Sequence, residues 1–128
     1  MKCQSIDLVW ITVKDFKKAL KFYTEVAGLK VAQANEEWGW AELEGHAGKG
    51  MRLGIAQHRP DQKEGVQPGQ NGVVTLTVDN IDQARQDLAK QGAKLVGDVL
   101  EVPGHVKMQT VQDNDGNTFQ IVEDISGG

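Results

Sequence analysis

Three tryptophans are the side chains of this sequence best suited to holding a small molecule. Trp38 and Trp40 are two residues apart, which on a β-strand places both indoles on one face, and Trp10 lies in an earlier stretch of strand-like alternation. Indole rings around a cleft stack on planar or cationic molecules. The alternative is that these rings cover the open side of a sheet or fill a dimer interface. The functional interpretation predicts a cleft that holds a planar or aromatic ligand.

Arg52 is the one basic residue predicted to lie deep in the same cleft. Its guanidinium could clamp a carboxylate or phosphate group of a ligand. It could equally pair with Glu42 or Glu44 across neighbouring strands. Further hydrogen-bonding groups expected on this face, which could bind a ligand or satisfy one another, are Thr12, Thr75 and Gln120.

The histidines do not form a metal-binding pattern, because no two of them have the short helical or strand spacing typical of such sites. His46 lies in a glycine-bordered turn, and His105 follows a Pro-Gly pair, so both are expected in exposed loops. His58 is expected at the end of a strand on the cleft face. It is therefore the histidine predicted to line the rim of the cleft.

An internal duplication arranges these residues. Residues 8–31 and residues 73–96 align with each other, and each reads as an alternating strand, an amphipathic helix, a glycine and a further strand. The helices should begin after the N-cap residues Asp15 and Asn80. The glycines expected at the helix C-termini are Gly28 and Gly92.

Three more strands are predicted after each helix. They span about 29–35, 37–44 and 51–58 in the first copy, and about 94–100, 105–112 and 118–124 in the second. The sequence therefore predicts a single α+β domain over 1–128 with two βαβββ modules, at about 5–58 and 71–125, and a linker at about 59–70. The eight strands are expected to form a curved mixed β-sheet cleft, with the helices on the outer face.

Two stretches carry a resemblance to a known family. The first is Val13-Lys14-Asp15, followed by Ala19, Phe22-Tyr23 and Gly28-Leu29. The second is the turn Asp113-Asn114-Asp115-Gly116-Asn117, followed by Thr118-Phe119. Together with the duplication, these stretches resemble the glyoxalase / bleomycin-resistance / extradiol-dioxygenase group, the vicinal oxygen chelate superfamily. The resemblance covers essentially the whole chain, and it implies the fold more strongly than the function because this scaffold hosts many activities.

The resemblance also implies where a metal would be bound. Metal enzymes of this group hold a divalent ion with four side chains of the cleft, and the matching positions here are Leu8, Gly54, Val73 and Gln120. Leucine, glycine and valine side chains offer no lone pair, and a catalytic metal site usually needs about three protein ligands. The prediction is therefore that the protein has no cofactor, with a divalent metal as the alternative.

Composition limits the partners. The formal net charge of -4 argues against nucleic acid and against an anionic membrane surface, because both bind basic faces. No apolar run approaches the roughly 20 residues of a membrane span, and the N-terminus lacks the apolar core of a signal peptide. The single cysteine, Cys3, cannot form an internal disulfide. A cytoplasmic location is expected.

The leading functional hypothesis is a metal-independent small-molecule-binding protein, similar to the bleomycin-resistance type that sequesters an antibiotic in an aromatic cleft. A homodimer is expected, since edge strands need covering and members of this group commonly build the cleft from paired copies. One alternative is a glyoxalase-type lyase or isomerase, or a dioxygenase-like enzyme, with a metal held by residues such as His58 and Glu44. Another is a regulatory or interaction module whose cleft is filled by its own side chains.

Overall fold

The structure, a computed structural model, describes residues 2, 4, 6–61, 67–69 and 74–127. The chain divides into two compact units, residues 1–71 and 72–128. Within the described residues, each unit contains one helix and one four-stranded mixed sheet. The α+β class and the two βαβββ modules predicted from the sequence are confirmed. Hydrogen bonding joins the strands into two sheets, one in each unit, and the units are described separately below.

The first unit has the order of one βαβββ module. Its elements are β1 (Leu8–Val13), α1 (Phe16–Lys21, continued by a π-helical segment over Phe22–Val26), β2 (Lys30–Asn35), β3 (Trp40–Glu44) and β4 (Arg52–Gln57). The sheet order is β1-β4-β3-β2, with β1 parallel to β4 and the other neighbours antiparallel. This order places β4 beside both β1 and β3, so residues of three strands meet at the middle of the sheet.

The second unit repeats the same topology. Its elements are β5 (Val74–Thr77), α2 (Ile81–Lys90), β6 (Lys94–Val102), β7 (Val106–Gln112) and β8 (Thr118–Asp124). The sheet order is β5-β8-β7-β6, and β5 runs parallel to β8. Thus β8 holds the central position that β4 holds in the first unit.

Alternate residues of the strands pack under the helix in the first unit, as the sequence predicted. The buried apolar side chains of the strands are Ile11, Val13, Ala41, Leu43, Leu53 and Ile55, and those of the helical segment are Phe16, Ala19, Phe22 and Tyr23. Fully burying one large apolar side chain contributes about 1.5–3 kcal/mol. This core leaves the other row of each strand to face away from α1, and that row carries the polar and aromatic residues.

Both helices begin and end where the sequence predicted. The side chains of Asp15 and Asn80 each accept a hydrogen bond from the backbone N–H three residues later, at 3.1 and 2.9 Å. Such caps satisfy N–H groups that have no partner within the helix. After the helices, Gly28 and Gly92 have φ angles of +80° and +85°, which glycine adopts without steric cost.

A second acceptor at each helix N-terminus comes from the last strand of the same module. The backbone N–H of Phe16 donates to the side-chain oxygen of Gln57 at 2.8 Å, and that of Ile81 donates to a carboxylate oxygen of Glu123 at 2.7 Å. Gln57 also donates to the Lys14 carbonyl at 2.6 Å. These bonds tie each helix to the end of β4 or β8, and sequence patterns did not predict them because the partners are 41 and 42 residues apart.

The start of the third strand was predicted wrongly. The sequence placed Trp38 and Trp40 on one face of a strand over 37–44, but β3 begins only at Trp40. Residues 36–39 form a turn in which the Gly39 N–H donates to the Glu36 carbonyl at 3.2 Å. Gly39 has a φ of +66°, which breaks the strand between the two tryptophans. The two-residue spacing of Trp38 and Trp40, which suggested that both lie on one face of a strand, is therefore accidental.

A buried amide supports the irregular edge strand of the second unit. β6 pairs with β7 through a register shift after Val96, where Gly97 has a φ of +70°. The Gln109 side chain on β7 is 1% exposed, and its Nε2 lies 3.0 and 3.2 Å from the carbonyl oxygens of Val96 and Gly97. Its Oε1 accepts from Arg85 Nε of α2 at 2.7 Å. The Gln109 side chain therefore connects β7 to the bulge of β6 and to α2.

Candidate functional site

The candidate site lies on the face of the first sheet that points away from α1. The strand register places Trp10 opposite Gly54, Gly54 opposite Glu42, and Glu42 opposite Gln33, so four strands contribute to one row. We call the following residues the Trp10–Trp40 cluster: Trp10, Gln33, Trp40, Glu42, Arg52 and Gly54. Because strand residues alternate between faces, none of these side chains belongs to the helix-covered core.

Two indoles meet edge to face above Gly54. The ring centroids of Trp10 and Trp40 are 6.5 Å apart, with 63° between the ring planes. A Cβ atom added to Gly54 would lie 2.6 Å from Cη2 of Trp40 and 2.8 Å from Cβ of Trp10. Glycine is therefore required for the Trp40 ring to lie against β4. Trp10 remains 42% exposed, so part of its surface is open to a ligand.

Glu42 organises the cluster through three hydrogen bonds. Its Oε2 accepts from Trp40 Nε1 at 3.2 Å and from Gln33 Nε2, and its Oε1 accepts from Arg52 Nη1 at 3.1 Å. The side chain is 16% exposed. The hydrogen bonds from Arg52 and Trp40 lower the pKa of Glu42 below its ordinary value of 4.5, since they favour the ionised carboxylate. The Trp40 ring is therefore fixed by packing on one side and by a charge-assisted hydrogen bond on its edge.

Arg52 is paired with carboxylates, which the sequence gave as the alternative to ligand binding. Besides Glu42, its Nε lies 3.9 Å from Oε2 of Glu44, and Glu44 in turn lies 3.6 Å from Nζ of Lys30. The Arg52 side chain stays 44% exposed. It therefore neutralises the acidic row of β3 and still presents part of its guanidinium to solvent.

We expect acid to weaken the cluster through Glu42. Because its pKa is depressed in the folded protein, the ionised carboxylate contributes stability above the unfolded-state pKa, and this stability is lost as the pH falls through the folded-state value. Urea unfolding of the natural protein and of Glu42→Gln, from about pH 7 to about pH 3, should give a stability difference that shrinks with falling pH. A difference that stays constant over this range would show that ionisation of Glu42 does not stabilise the fold.

Among the predicted aromatic and histidine residues of the site, Trp38 and His58 do not join the cluster. Trp38 is 67% exposed in the turn before β3, and it lines an open depression of about 520 Å³ together with Phe16 and Arg59. His58 follows the end of β4, where its N–H donates to the Val13 carbonyl at 2.7 Å. The expectation that Trp38 shares a face with Trp40 is therefore wrong.

The hydroxyl and amide residues of the prediction lie in both units. Thr12 shares the cluster's face of β1 and is buried. In the second unit, Thr75 pairs directly with Gln120 across β5 and β8, and Gln120 pairs with Thr110 on β7. The structure thus brings Trp10, Trp40 and Arg52 together in the first unit, and Thr75 and Gln120 together in the second.

Sequence reasoning missed part of the cluster. Strand spacing predicts that Glu42 shares a face with Trp40 and can pair with Arg52, but it does not predict the hydrogen bond from Trp40 to Glu42. The sequence did not indicate that Gln33 faces the cluster, because a register shift between Val31 and Gln33 changes which residues of β2 face it. Strand alternation alone assigns such a residue to the wrong face.

The positions that would hold a metal in this fold do not fit one. Leu8 and Gly54 have no side-chain donor atom, and the Trp40 ring and the Cβ of Trp10 fill the space beside Gly54. Gln120 offers a single amide, and Val73 lies outside the described residues. Among the residues that the structure describes, no three His, Cys, Asp or Glu side chains are grouped so that they could hold a metal ion.

The structure does not bring together Glu44 and His58, the alternative metal pair suggested from the sequence. Glu44 is ion-paired with Arg52, the first residue of β4, whereas His58 follows the last residue of that strand. Arg52 and His58 are six residue steps apart along this extended strand, which corresponds to about 20 Å. The side chains of Glu44 and His58 therefore cannot ligate one ion.

Comparison with known proteins identifies a family whose profile the chain matches. The sequence matches the profile of the Glyoxalase/Bleomycin resistance protein/Dioxygenase superfamily over residues 5–121. The search of curated proteins found no significant match. No helix in the described part of the chain is long and apolar enough to cross a membrane.

Several solved structures share the fold. A member of the same superfamily from Sphaerobacter thermophilus has a TM-score of 0.78 at 23% identity, covering 95% of this chain and 98% of the other. An antibiotic binding protein from a Streptomyces species has a TM-score of 0.76 at 23% identity, covering 97% and 98%. A virulence protein from Salmonella typhimurium has a TM-score of 0.73 at 20% identity, covering 97% and 99%.

These identities are low enough that the solved structures support the fold alone. The profile, in contrast, matches all but the first few and the last few residues of the chain. The duplicated module and the turn before β8 agree with the resemblance noted in the sequence. The chain therefore belongs to the Glyoxalase/Bleomycin resistance protein/Dioxygenase superfamily.

Proposed function

We propose that this protein is a metal-independent small-molecule-binding protein that holds a planar or aromatic ligand against Trp10. The observation that carries the proposal is the pair of indoles above Gly54, which occupies the place of a metal-ligand side chain and leaves Trp10 partly exposed. Aromatic side chains in such an edge-to-face pair are held in fixed positions, so a ligand that stacks on Trp10 meets a preformed surface.

The hydrogen bonding of the cluster supports binding over catalysis. A general base needs a lone pair directed at the substrate. Both oxygens of Glu42 already accept hydrogen bonds from side chains of the cluster, and Glu44 lies between two cations. These carboxylates therefore serve to position Trp40 and Arg52. The antibiotic binding protein among the solved structures supports the same class of function, and we propose an antibiotic or a comparable aromatic compound as the ligand.

The first test is a titration with acridone, a planar three-ring compound that reports its own binding by fluorescence anisotropy. Trp10→Ala removes the exposed ring of the cluster and should weaken binding at least about tenfold, the equivalent of about 1.4 kcal/mol. Trp38→Ala is the matched control, because Trp38 lies outside the cluster, and its affinity should equal that of the natural protein. Equal losses in the two variants would contradict the assignment of the site.

The second test concerns the metal. Protein purified without chelator is analysed for transition metals, and the acridone titration is repeated after dialysis against EDTA. We expect no stoichiometric metal and no change in affinity, because Leu8 and Gly54 supply no donor atoms. A stoichiometric metal would instead support the enzyme alternative. If neither acridone nor other planar compounds bind, the cluster serves as the filled surface of an interaction module.

We also propose that the protein is a cytoplasmic homodimer. The edge strands β2 and β6 carry exposed apolar side chains, among them Val31 and Leu100, and such strands are usually covered in a native assembly. Light scattering coupled to gel filtration measures the mass directly. A mass equal to that of one chain at all concentrations would contradict the dimer.

A further inference from the structure

The charges on the cluster's face of the first sheet cancel. Four charged side chains of β2, β3 and β4 lie on this face, and they are Lys30, Glu42, Glu44 and Arg52. They form a continuous set of ion pairs, with N–O distances of 3.6 Å from Lys30 to Glu44, 3.9 Å from Arg52 to Glu44 and 3.1 Å from Arg52 to Glu42. Two positive and two negative groups therefore leave no net charge to attract an ion.

Binding to this face would also cost a charged ligand free energy, whether the ligand is a cation or an anion. A cationic ligand would have to compete for Glu42, which is 16% exposed and already accepts hydrogen bonds from three side chains. An anionic ligand would have to draw Arg52 away from its carboxylates. Burying a charge without a compensating partner is costly, whereas an uncharged ring loses little solvation.

Arg52 retains capacity for an uncharged acceptor. A guanidinium has five N–H donors, and toward the residues that the structure describes only the bond from Nη1 to Glu42 is a close side-chain hydrogen bond, since the contact with Glu44 is 3.9 Å long. The side chain is 44% exposed on the same face as Trp10. A carbonyl oxygen on a ring stacked against Trp10 could accept one of these donors without disturbing the ion pairs.

We infer that the site selects an uncharged planar ligand that carries a carbonyl or similar hydrogen-bond acceptor for Arg52, and that it discriminates against planar cations and anions. This inference rests on the proposed function, because it assigns the ligand class of the same site. It goes further in naming Glu42 as a positioning residue and Arg52 as the residue that determines charge preference.

Three planar probes of equal ring size but different charge test the inference. Acridone is neutral and has a ring carbonyl, 9-aminoacridine is a cation at neutral pH, and acridine-9-carboxylate is an anion. Acridone should bind at least about tenfold more tightly than either ion. If an ion binds best, the inference is wrong while the proposed function stands. If none of the three binds, the proposed function itself fails.

Substitution of Arg52 should reverse the charge preference. Arg52→Gln leaves Lys30 as the one cation in this set of ion pairs against two glutamates on β3, so 9-aminoacridine should gain affinity severalfold and acridone should lose it. Arg52→Lys keeps the charge balance and should keep acridone ahead of 9-aminoacridine, which shows that the effect is electrostatic. Lys21→Gln is the matched control, because it removes one positive charge on α1 and should leave the natural order of the probes. If a folded Arg52→Gln variant bound the probes in the same order of affinity as the natural protein, the inference would be overturned.

Discussion

Replacing Gly54 with alanine should lower the free energy of unfolding by about 1–3 kcal/mol, the usual cost of overpacking a filled space. The added methyl group would lie 2.6 Å from Cη2 of the Trp40 indole and 2.8 Å from Cβ of Trp10, and neither side chain can move away freely. Trp40 is held by Glu42, and the Cβ of Trp10 is fixed by its backbone on the neighbouring strand. The same variant should also lose affinity for acridone, since the rings can no longer adopt their edge-to-face arrangement.

Urea unfolding measures the stability, near-ultraviolet circular dichroism reports the arrangement of the tryptophan rings, and the anisotropy titration measures the affinity for acridone. Gly45→Ala is the matched control: a Cβ at that position meets no atom within 4 Å, and the backbone there does not have a positive φ. This variant should have the stability of the natural protein. A Gly54→Ala protein that unfolds like the control, with an unchanged tryptophan signal, would contradict the close packing of the cluster.

Replacing Gln109 with leucine should cost about 2–3 kcal/mol, although leucine has a similar volume and greater hydrophobicity. The loss arises because the carbonyl groups of Val96 and Gly97 and the Nε of Arg85 would each lose a hydrogen-bond partner at a part-buried position. Leaving a buried polar group without a partner typically costs about 1–3 kcal/mol. Hydrogen exchange should show β6 as the part of the second unit that opens most readily in this variant.

Gln112→Leu provides the comparison for this prediction. Gln112 lies on the same strand, half-buried, and its register pairs it with Lys94 and Thr118 on the face opposite to Gln109. It should change the unfolding free energy by less than about 0.5 kcal/mol, as most substitutions away from buried networks do. Equal losses in both variants would show that the buried amide contributes nothing beyond its position on the strand.

Local patterns predicted most of the fold. The duplication, the N-caps at Asp15 and Asn80 and the alternation of apolar residues defined both modules, because each depends on neighbours within a few residues of the chain. The start of β3 could not be found in this way. Trp38 and Trp40 have strand spacing, but the turn that separates them depends on Gly39 and on the end of β4, where the Gln57 N–H donates to the Gly39 carbonyl at 2.8 Å.

The candidate site was predicted in its residue types and only partly in its arrangement. The pairing of Arg52 with acidic residues followed from strand alternation, and it is present in the structure. The contact of Trp40 with Gly54 depends instead on which strands are neighbours and in what register. The contribution of Gln33 depends on a bulge in an edge strand. Both are properties of the assembled sheet, so no local pattern of the sequence contains them.

The hydrogen bonds that Phe16 N–H donates to Gln57 and Ile81 N–H donates to Glu123 have a consequence for the order in which the protein folds. An isolated helix of six residues, the length of α1, is too short to persist in water. Its first N–H group finds its acceptor 41 residues later, at the end of β4. We therefore expect α1 to be consolidated only after the chain has closed that long loop, which is a slow, entropically costly event. Each module should accordingly reach its transition state with the last strand already docked, and its helix should gain protection together with that strand.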